Sequence, residues 1–555
     1  MKNYIKISIL LIPFLVCLQS YAQTIKSDIL LEGFVAPPNS AKPRVWWHWM
    51  NGNITKDGIA KDLEWMKRSG IGGFQNFDAS LGTPQIVEKR LIYMTPGWKD
   101  AFHFTTKLAD SLHLEMAIAG SPGWSESGGP WVKPEDGMKK IVWTEVRVQG
   151  GTSNIKIAPP SGVTGPFQNI IKQPGFSETV DASKLPGFYK DVAIVAYKLP
   201  DADKSLSELG ATVTSSGGNF TLSQLTDGDL EKTVLLPRDS VAGYAWIQFA
   251  FPQPQTIKAI TLVGGGNPGS FGRGATAADS RKLEASDDGV NFKFICNIPP
   301  GAILEQTIPV PETTAKYFRI TFKNPPPQIN RFAAMVGINR GSVVPPGTEI
   351  AEICLHTADV INRFEEKDAF APVEDLDKKI TAPTNDVVAT NDIIDLTNKM
   401  NSDGTLNWTV PSGDWKVVRF GYSLLGITNH PASPEATGPE VDKLDPVAVR
   451  NYFTNYLNQY EGATGGLMGK KGGLQFMITD SWEAGAQNWT PNLPEEFQKR
   501  RGYSMIPWMP VLTGQIVKTS ESSEQFLYDF RHTLSEMVAE YHYDALTKIL
   551  AQYGM

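Results

Sequence analysis

Residues 478–490 read ITDSWEAGAQNWT, which sets Asp480, Trp482, Glu483 and Trp489 within one loop's length. The apolar run Phe476-Met477-Ile478 ahead of them has the pattern of a short buried strand, and Gly485 and Pro491 mark the loop that follows. Indole rings beside carboxylates suit a flat, hydroxylated ligand: a sugar packs its C–H face on the ring while its hydroxyls bond the acids. A buried aromatic cluster with incidental surface acids fits the same residues, and the stretch alone permits both. Similar polar endings recur elsewhere. His48 and Asn51 close RVWWHWMNG, Asp78 closes IGGFQNFDA, and Trp124 and Glu126 lie in GSPGWSESGGPW.

The elements that must position these residues are legible in part. Arg44 to Gly52 reads as a strand, Thr55 is placed to cap a helix with Ile59, Leu63 and Met66 on its buried face, and Gly70 ends it. A second strand spans Ile71 to Ala79, a second helix Pro96 to His113, and a third strand Leu114 to Gly120. Strand, helix, strand, helix, strand at this spacing calls for a parallel sheet with crossover helices, and polar residues at the carboxyl ends of such strands are the mark of a (β/α)8 barrel. From about 141 to 413 short alternating runs and turn signals replace the helical period, which is β-sandwich composition. Within it, a compact unit including LTDGDLEKTV, KLEASDDGVNFKFIC and AKYFRITF resembles the discoidin-like jelly roll. The runs DVAIVAYKLP before it and EIAEICLHT after it read as strands of one sheet, and SDDG as a hairpin turn.

The helical pattern returns after WKVVRFGYSLL (Trp415 to Leu425), with a helix from about Pro446 to Tyr460, a strand at Leu474 to Thr479 and a final helix marked by Phe526, Phe530, Leu534, Met537 and Tyr541. The expected fold is therefore α/β: an incomplete (β/α)8 barrel interrupted by a β-sandwich insertion that itself carries the jelly roll. The divisions are 1–22 signal peptide, 23–140 first barrel part with three strands, 141–204 sandwich, 205–345 jelly roll, 346–412 sandwich and 413–555 barrel continuation. Five barrel strands start near Val45, Gly72, Leu114, Val417 and Phe476, and Met555 falls where a sixth is due, so the sequence reads as a fragment of a longer protein.

Compartment and partners follow from composition. Lys2 and Lys6 precede the apolar run Ile7 to Leu18, and Ser20-Tyr21-Ala22 offers a cleavage site, so the protein is expected to be secreted or periplasmic. No later stretch is long and apolar enough for a membrane span. Cys17 lies in the signal behind Val16, a poor setting for lipidation, and Cys296 and Cys354 read as unpaired core thiols. No CxxC or HExxH pattern suggests zinc, and a net charge of −7 without a basic run speaks against nucleic acid.

Taken in order, PRVWWHWMNGNITKDGIAKDLEWMKRSGIGGFQNFD, GDWKVVRFGYSLLGITNHPASPEATGPEVDKLD and ITDSWEAGAQNWT resemble glycoside hydrolase family 106, the α-L-rhamnosidases, from about residue 34 to the last helix. The resemblance implies an exo-acting, inverting, calcium-dependent enzyme that removes terminal α-L-rhamnose from plant polysaccharide, pectin included, or from rhamnosides. Inversion needs a carboxylic acid for the leaving oxygen and a carboxylate for water, roughly 6.5–9.5 Å apart. Glu483 is the expected catalytic residue, as the acid, with Trp482 and Trp489 supplying an apolar setting. The resemblance puts the second glutamate beyond Met555, and Asp480 is an internal candidate. Glu126 and Asp78 are expected to hold sugar hydroxyls or calcium, whose ligands must come from several strands. His48 reads as a sugar contact or a core histidine, and Asn51 as a contact or a turn cap. Trp124 and Trp131 read as stacking platforms or loop packing, and Asp442 as the cap of the helix near Pro446 or a ligand contact. A glycosidase of other specificity, such as a β-galactosidase-like enzyme, and a secreted carbohydrate-binding protein without catalysis are the rival readings.

Overall fold

A computed structural model describes residues 28–160, 164–170, 186–264, 281–299, 301–325, 344–371, 373, 375–479 and 482–555. The proposed signal segment and Asp480 lie outside them. Strands β1 (Arg44–Met50), β2 (Gly73–Ala79) and β3 (Glu115–Ala119) pair in parallel, joined by helices α1 (Lys56–Arg68) and α2 (Pro96–Ser111). Thr55 caps α1 by accepting from the Gly58 N–H, and Ile59, Leu63 and Met66 are its buried residues, as the spacing predicts. Alternation along β1 sends Trp47 and Trp49 toward the helices, where Trp49 meets Trp98 and Phe102 of α2 edge-on. The intervening Trp46 and His48 stand on the other face against Phe77.

The chain then leaves for two antiparallel sheets. Strands β4 (Lys139–Gln149) and β5 (Tyr189–Lys198) belong to the first. The second contains β6 (Thr212–Ser215), β7 (Val234–Pro237), β8 (Tyr244–Gly264), β9 (Arg281–Ser286), β10 (Lys293–Asn297), β11 (Glu305–Lys323) and β12 (Gly347–His356) in the order β10-β9-β11-β8-β12-β7, with β6 on β8. The expectation that β5 and β12 share a sheet is overturned, because β12 pairs with β8 and β7. The SDDG turn joins β9 to β10 as expected, with Asp288 accepting from the Val290 and Asn291 N–H groups. Cys296 and Cys354 are free thiols, and burial pushes Cys354 up to about 12.

Strands β13 (Ile393–Asp395) and β14 (Asp414–Leu424) complete the first antiparallel sheet, in the order β13-β5-β14-β4. This corrects a second expectation: Trp415 to Leu425 is a strand of the sandwich, not of the parallel sheet. Nearly every side chain of β14 is buried, and a strand covered on both faces shows the same unbroken apolar run in either setting.

Helix α3 (Pro446–Thr464) returns the chain to the first unit, and β15 (Leu474–Ile478) pairs in parallel with β3, giving the order β1-β2-β3-β15. Among the described residues the parallel sheet thus has four strands, not five. Asp445, not Asp442, caps α3 by accepting from the Val447 and Ala448 N–H groups. Helices α4 (Leu493–Arg501), α5 (Ser520–Val538) and α6 (Ala545–Gln552) follow. A π-helical turn, Ala539–Asp544, separates α5 from α6 where the apolar spacing predicts one continuous helix. Among the described residues no helix is long and apolar enough to cross a membrane.

Candidate active site at the carboxyl ends of the parallel strands

The parallel register sets His48 of β1 opposite Phe77 and Trp49 opposite Asp78 of β2, so both polar residues emerge at one end of the sheet. His48 stacks on Phe77 with ring centroids 5.0 Å apart, and its Nε2 accepts from Trp124 Nε1 at 2.9 Å. An indole N–H only donates, so Nε2 is the acceptor and the neutral ring carries its proton on Nδ1. Burial also lowers its pKa, which favours that neutral form. His48 and Trp124 therefore act as one unit at the strand ends.

Asn51 is a turn residue. Its φ is 51°, its backbone N–H donates to the Ala79 carbonyl at 2.7 Å, and its Nδ2 donates to the Thr83 carbonyl at 2.7 Å. The next residue must be glycine: Gly52 has φ +65°, and an added Cβ would lie 2.1 Å from the Leu91 carbonyl oxygen. Asn51 thus shapes the rim through its backbone fold.

Asp78 is buried, and its Oδ2 accepts from Trp98 Nε1 at 2.8 Å. Desolvation pushes its pKa up to about 7, and the bond from Trp98 opposes that shift without cancelling it. Beside it, Arg90 pairs with Glu435 and donates through Nε to the Asn51 carbonyl at 3.2 Å.

Glu126, only 3% exposed, comes from the loop after β3. Tyr543 donates its hydroxyl to Oε1 at 2.7 Å, and His542 Nε2 lies 3.4 Å from Oε2. Burial raises this carboxyl's pKa, but His542, Tyr543 and the charge of Lys443 together outweigh it and hold it below the usual range. Both partners sit on the π-helical turn, and the extra residue of such a turn re-aims the side chains that follow it. Nearby, Glu440 accepts from Ser127 Oγ at 2.6 Å and Lys443 Nζ at 2.8 Å, all three buried.

Trp482 and Glu483 open the loop after β15. Trp482 is 38% exposed, donates through Nε1 to the Gly485 carbonyl at 2.5 Å, and has Lys443 Nζ 5.1 Å from its ring centroid. The Glu483 side chain is 19% exposed, with Oε2 3.4 Å from His430 Nε2. Trp489 does not belong to this setting. It is fully buried in the core that includes Ile141, Leu444 and Leu493, so only Trp482 is placed to meet a ligand beside Glu483. Trp131 likewise packs within the fold, stacked against Tyr93 and Tyr452. Asp442, buried, pairs with Lys139 at 2.9 Å and accepts from Thr490 Oγ1 at 2.9 Å and from Gln487, a structural knot beneath the loop.

Sequence reasoning missed His430, His542, Tyr543 and the Glu440–Lys443 pair. Only His430 carried a local signal, a histidine in the turn-rich NHPASP run. Among the described residues no group of three or more His, Cys, Asp or Glu side chains is placed to hold a metal ion, so the side chains on hand do not form a calcium cage.

Two buried acids, Asp78 and Glu126, the partly exposed Glu483, the exposed indole of Trp482 and the neutral ring of His48 thus gather at one end of the parallel strands, where an α/β frame places its functional groups. The chain belongs to the alpha-L-rhamnosidase family known as glycoside hydrolase family 106, whose sequence profile matches residues 35–555. Its fold superposes on the rhamnosidase of Novosphingobium sp. PP1Y with a TM-score of 0.80 at 41% identity, covering 95% of this chain and 46% of that one. It is also 27% identical over 544 residues to a Formosa agariphila protein named "Putative beta-glucuronidase", covering 98% of this chain and 31% of that protein. The chain thus spans less than half the length of either relative.

Proposed function

We infer that this chain is part of a secreted glycoside hydrolase that releases terminal α-L-rhamnose from plant polysaccharide or rhamnosides with inversion of configuration. In this reading the four parallel strands are an arc of a (β/α)8 barrel, and the seven-stranded unit is a discoidin-like insertion. Lys2, Lys6 and the apolar run Ile7 to Leu18 support export.

The observation that carries the reading is Glu483: a partly exposed carboxyl at the carboxyl end of β15, beside a half-open indole, in a chain of the rhamnosidase family. As general acid it gives its proton to the departing glycosidic oxygen, which takes the electrons of the C–O bond. A second carboxylate, on the opposite face of the sugar, takes a proton from the attacking water. Glu126 and Asp78 suit sugar hydroxyls better than that second role. Glu126 is already engaged by Tyr543, and Asp78 is held close to neutrality, able to donate as well as accept. Calcium belongs to this reading only through the family resemblance.

The test is Glu483→Gln in the complete protein, assayed on an alkyl α-L-rhamnoside, whose weak leaving group needs protonation, where loss of a general acid is expected to cost about 10²–10⁴-fold in kcat/KM. The Formosa relative's name makes an aryl β-glucuronide the control substrate. Cleavage of the glucuronide and not the rhamnoside would replace the proposed sugar while leaving the hydrolase reading intact.

A further inference from the structure

We propose that Trp124 is a positioning residue that locks His48 as an uncharged donor, and that His48 directs its single N–H to a hydroxyl of a neutral sugar. The inference rests on a rhamnoside being the substrate. Three rings fix the imidazole. Its face stacks on the fully buried Phe77, with the planes 19° from parallel, while Trp46 and Trp124 meet it edge-on with centroids 6.1 Å away. Trp124 Nε1 donates to its Nε2 at 2.9 Å. The indole is itself held in place by the backbone of its loop. The Trp124 N–H donates to the His430 carbonyl at 2.9 Å and the Gly123 N–H to the Asp78 carbonyl at 2.7 Å. Gly123 has φ +88°, and an added Cβ would lie 2.6 Å from the His430 carbonyl group, so the turn before Trp124 requires glycine.

This clamp decides what the histidine can offer. An indole N–H cannot accept, so a proton on Nε2 would set two donors against each other. The bond therefore disfavours both the Nε2-protonated tautomer and the imidazolium, and burial lowers the ring's pKa in the same direction. The rings packed on His48 carry no charge, and Asp78 on the neighbouring strand turns to Trp98 of α2. One donor remains, Nδ1–H, and among the described residues nothing accepts from it. His48 stands near the carboxyl ends of the parallel strands, where such a frame binds its ligands. A neutral N–H suits a hydroxyl oxygen, whereas a carboxylate is held more strongly by a cation. Two cations of the surrounding loops, Arg90 and Lys443, are already paired with Glu435 and Glu440. The arrangement therefore favours a neutral deoxysugar over a uronate.

An asparagine amide nitrogen can stand where Nδ1 does, whereas a glutamine amide reaches the Nε2 position. In the complete protein, His48→Gln is expected to lower kcat/KM on an alkyl α-L-rhamnoside by roughly 10-fold or more, the scale of a hydroxyl left without its donor, and His48→Asn by less than about 3-fold. Trp124→Phe keeps an aromatic ring and removes the N–H. Nitrogen-15 spectra should show wild-type His48 protonated on Nδ1 alone, with that resonance shifting when L-rhamnose is added. In Trp124→Phe the Nε2-protonated form should appear and the ring should titrate at higher pH. A wild-type ring protonated on Nε2, equal losses in the two His48 variants, or a Trp124→Phe spectrum identical to wild type overturns the inference. If the wild-type protein does not cleave the rhamnoside, the rhamnosidase reading fails and takes the inference with it, a result in which the variants play no part.

Discussion

The Tyr543 hydroxyl donates to Glu126 Oε1 at 2.7 Å, joining the π-helical turn near the end of the described chain to the loop after its third strand, 417 residues earlier. The bond holds a buried carboxylate in its ionised form. Glu126's folded pKa lies below its ordinary value, so its contribution to stability is present above that ordinary value and is lost as pH falls through the folded one. Tyr543→Phe should therefore destabilise the protein by about 1.5–3 kcal/mol near pH 7. The difference should shrink as falling pH protonates Glu126 in both variants, as denaturant titrations run from pH 7 downward will show.

Asp78 carries the opposite sign. Its pKa of about 7 in the fold lies above the ordinary 3.8, so the unfolded chain releases this proton first and ionisation opposes folding. The cost is absent below about pH 4, grows between there and pH 7, and is complete above. Asp78→Asn keeps an oxygen for the Trp98 N–H and removes the charge. It should raise stability by about 2–4 kcal/mol at pH 8, an order-of-magnitude figure, and leave it unchanged at pH 4. Equal effects at both pH values would contradict the shift.

The two tryptophans of the 478–490 stretch should separate cleanly. Trp489 is fully buried, and Trp489→Ala is expected to cost about 3–5 kcal/mol in unfolding free energy. Trp482 is 38% exposed, so Trp482→Ala should change stability by less than about 1 kcal/mol and instead raise KM for the rhamnoside. Stability by denaturation and affinity by kinetics make the two readouts.

Lys139 and Asp442 form a fully buried pair at 2.9 Å. Lys139→Met leaves a buried carboxylate uncompensated and should cost about 3–5 kcal/mol. Adding Asp442→Asn removes that charge, keeps an acceptor for Thr490, and should recover part of the loss. A double variant worse than Lys139→Met alone would show that the pair is not the source.

What the sequence disclosed tracks the range of the interactions. Local ones were plain: the Thr55 cap, the Ile59-Leu63-Met66 face and the three strands after Arg44, Gly72 and Leu114 all follow from spacing within a few residues. The sequence of strand β14 points to the parallel sheet because burial on both faces erases the alternation that would tell a sandwich strand from a parallel one. The π-helical turn was hidden because the apolar period on either side continues as though the helix were regular. At the site, Glu126, Asp78 and Glu483 were legible as acids at strand ends, whereas His430, His542 and Tyr543 reach them only through folding. Contacts spanning hundreds of residues leave no periodic trace.

The central claim is that Glu483 protonates the departing oxygen of a rhamnoside, and single-turnover kinetics of Glu483→Gln in the complete protein, run on a weak and a strong leaving group, address it directly. The account predicts near-complete loss with an alkyl α-L-rhamnoside and substantial retention with a dinitrophenyl one. Wild-type rates on the alkyl substrate, with the variant folded, would contradict it.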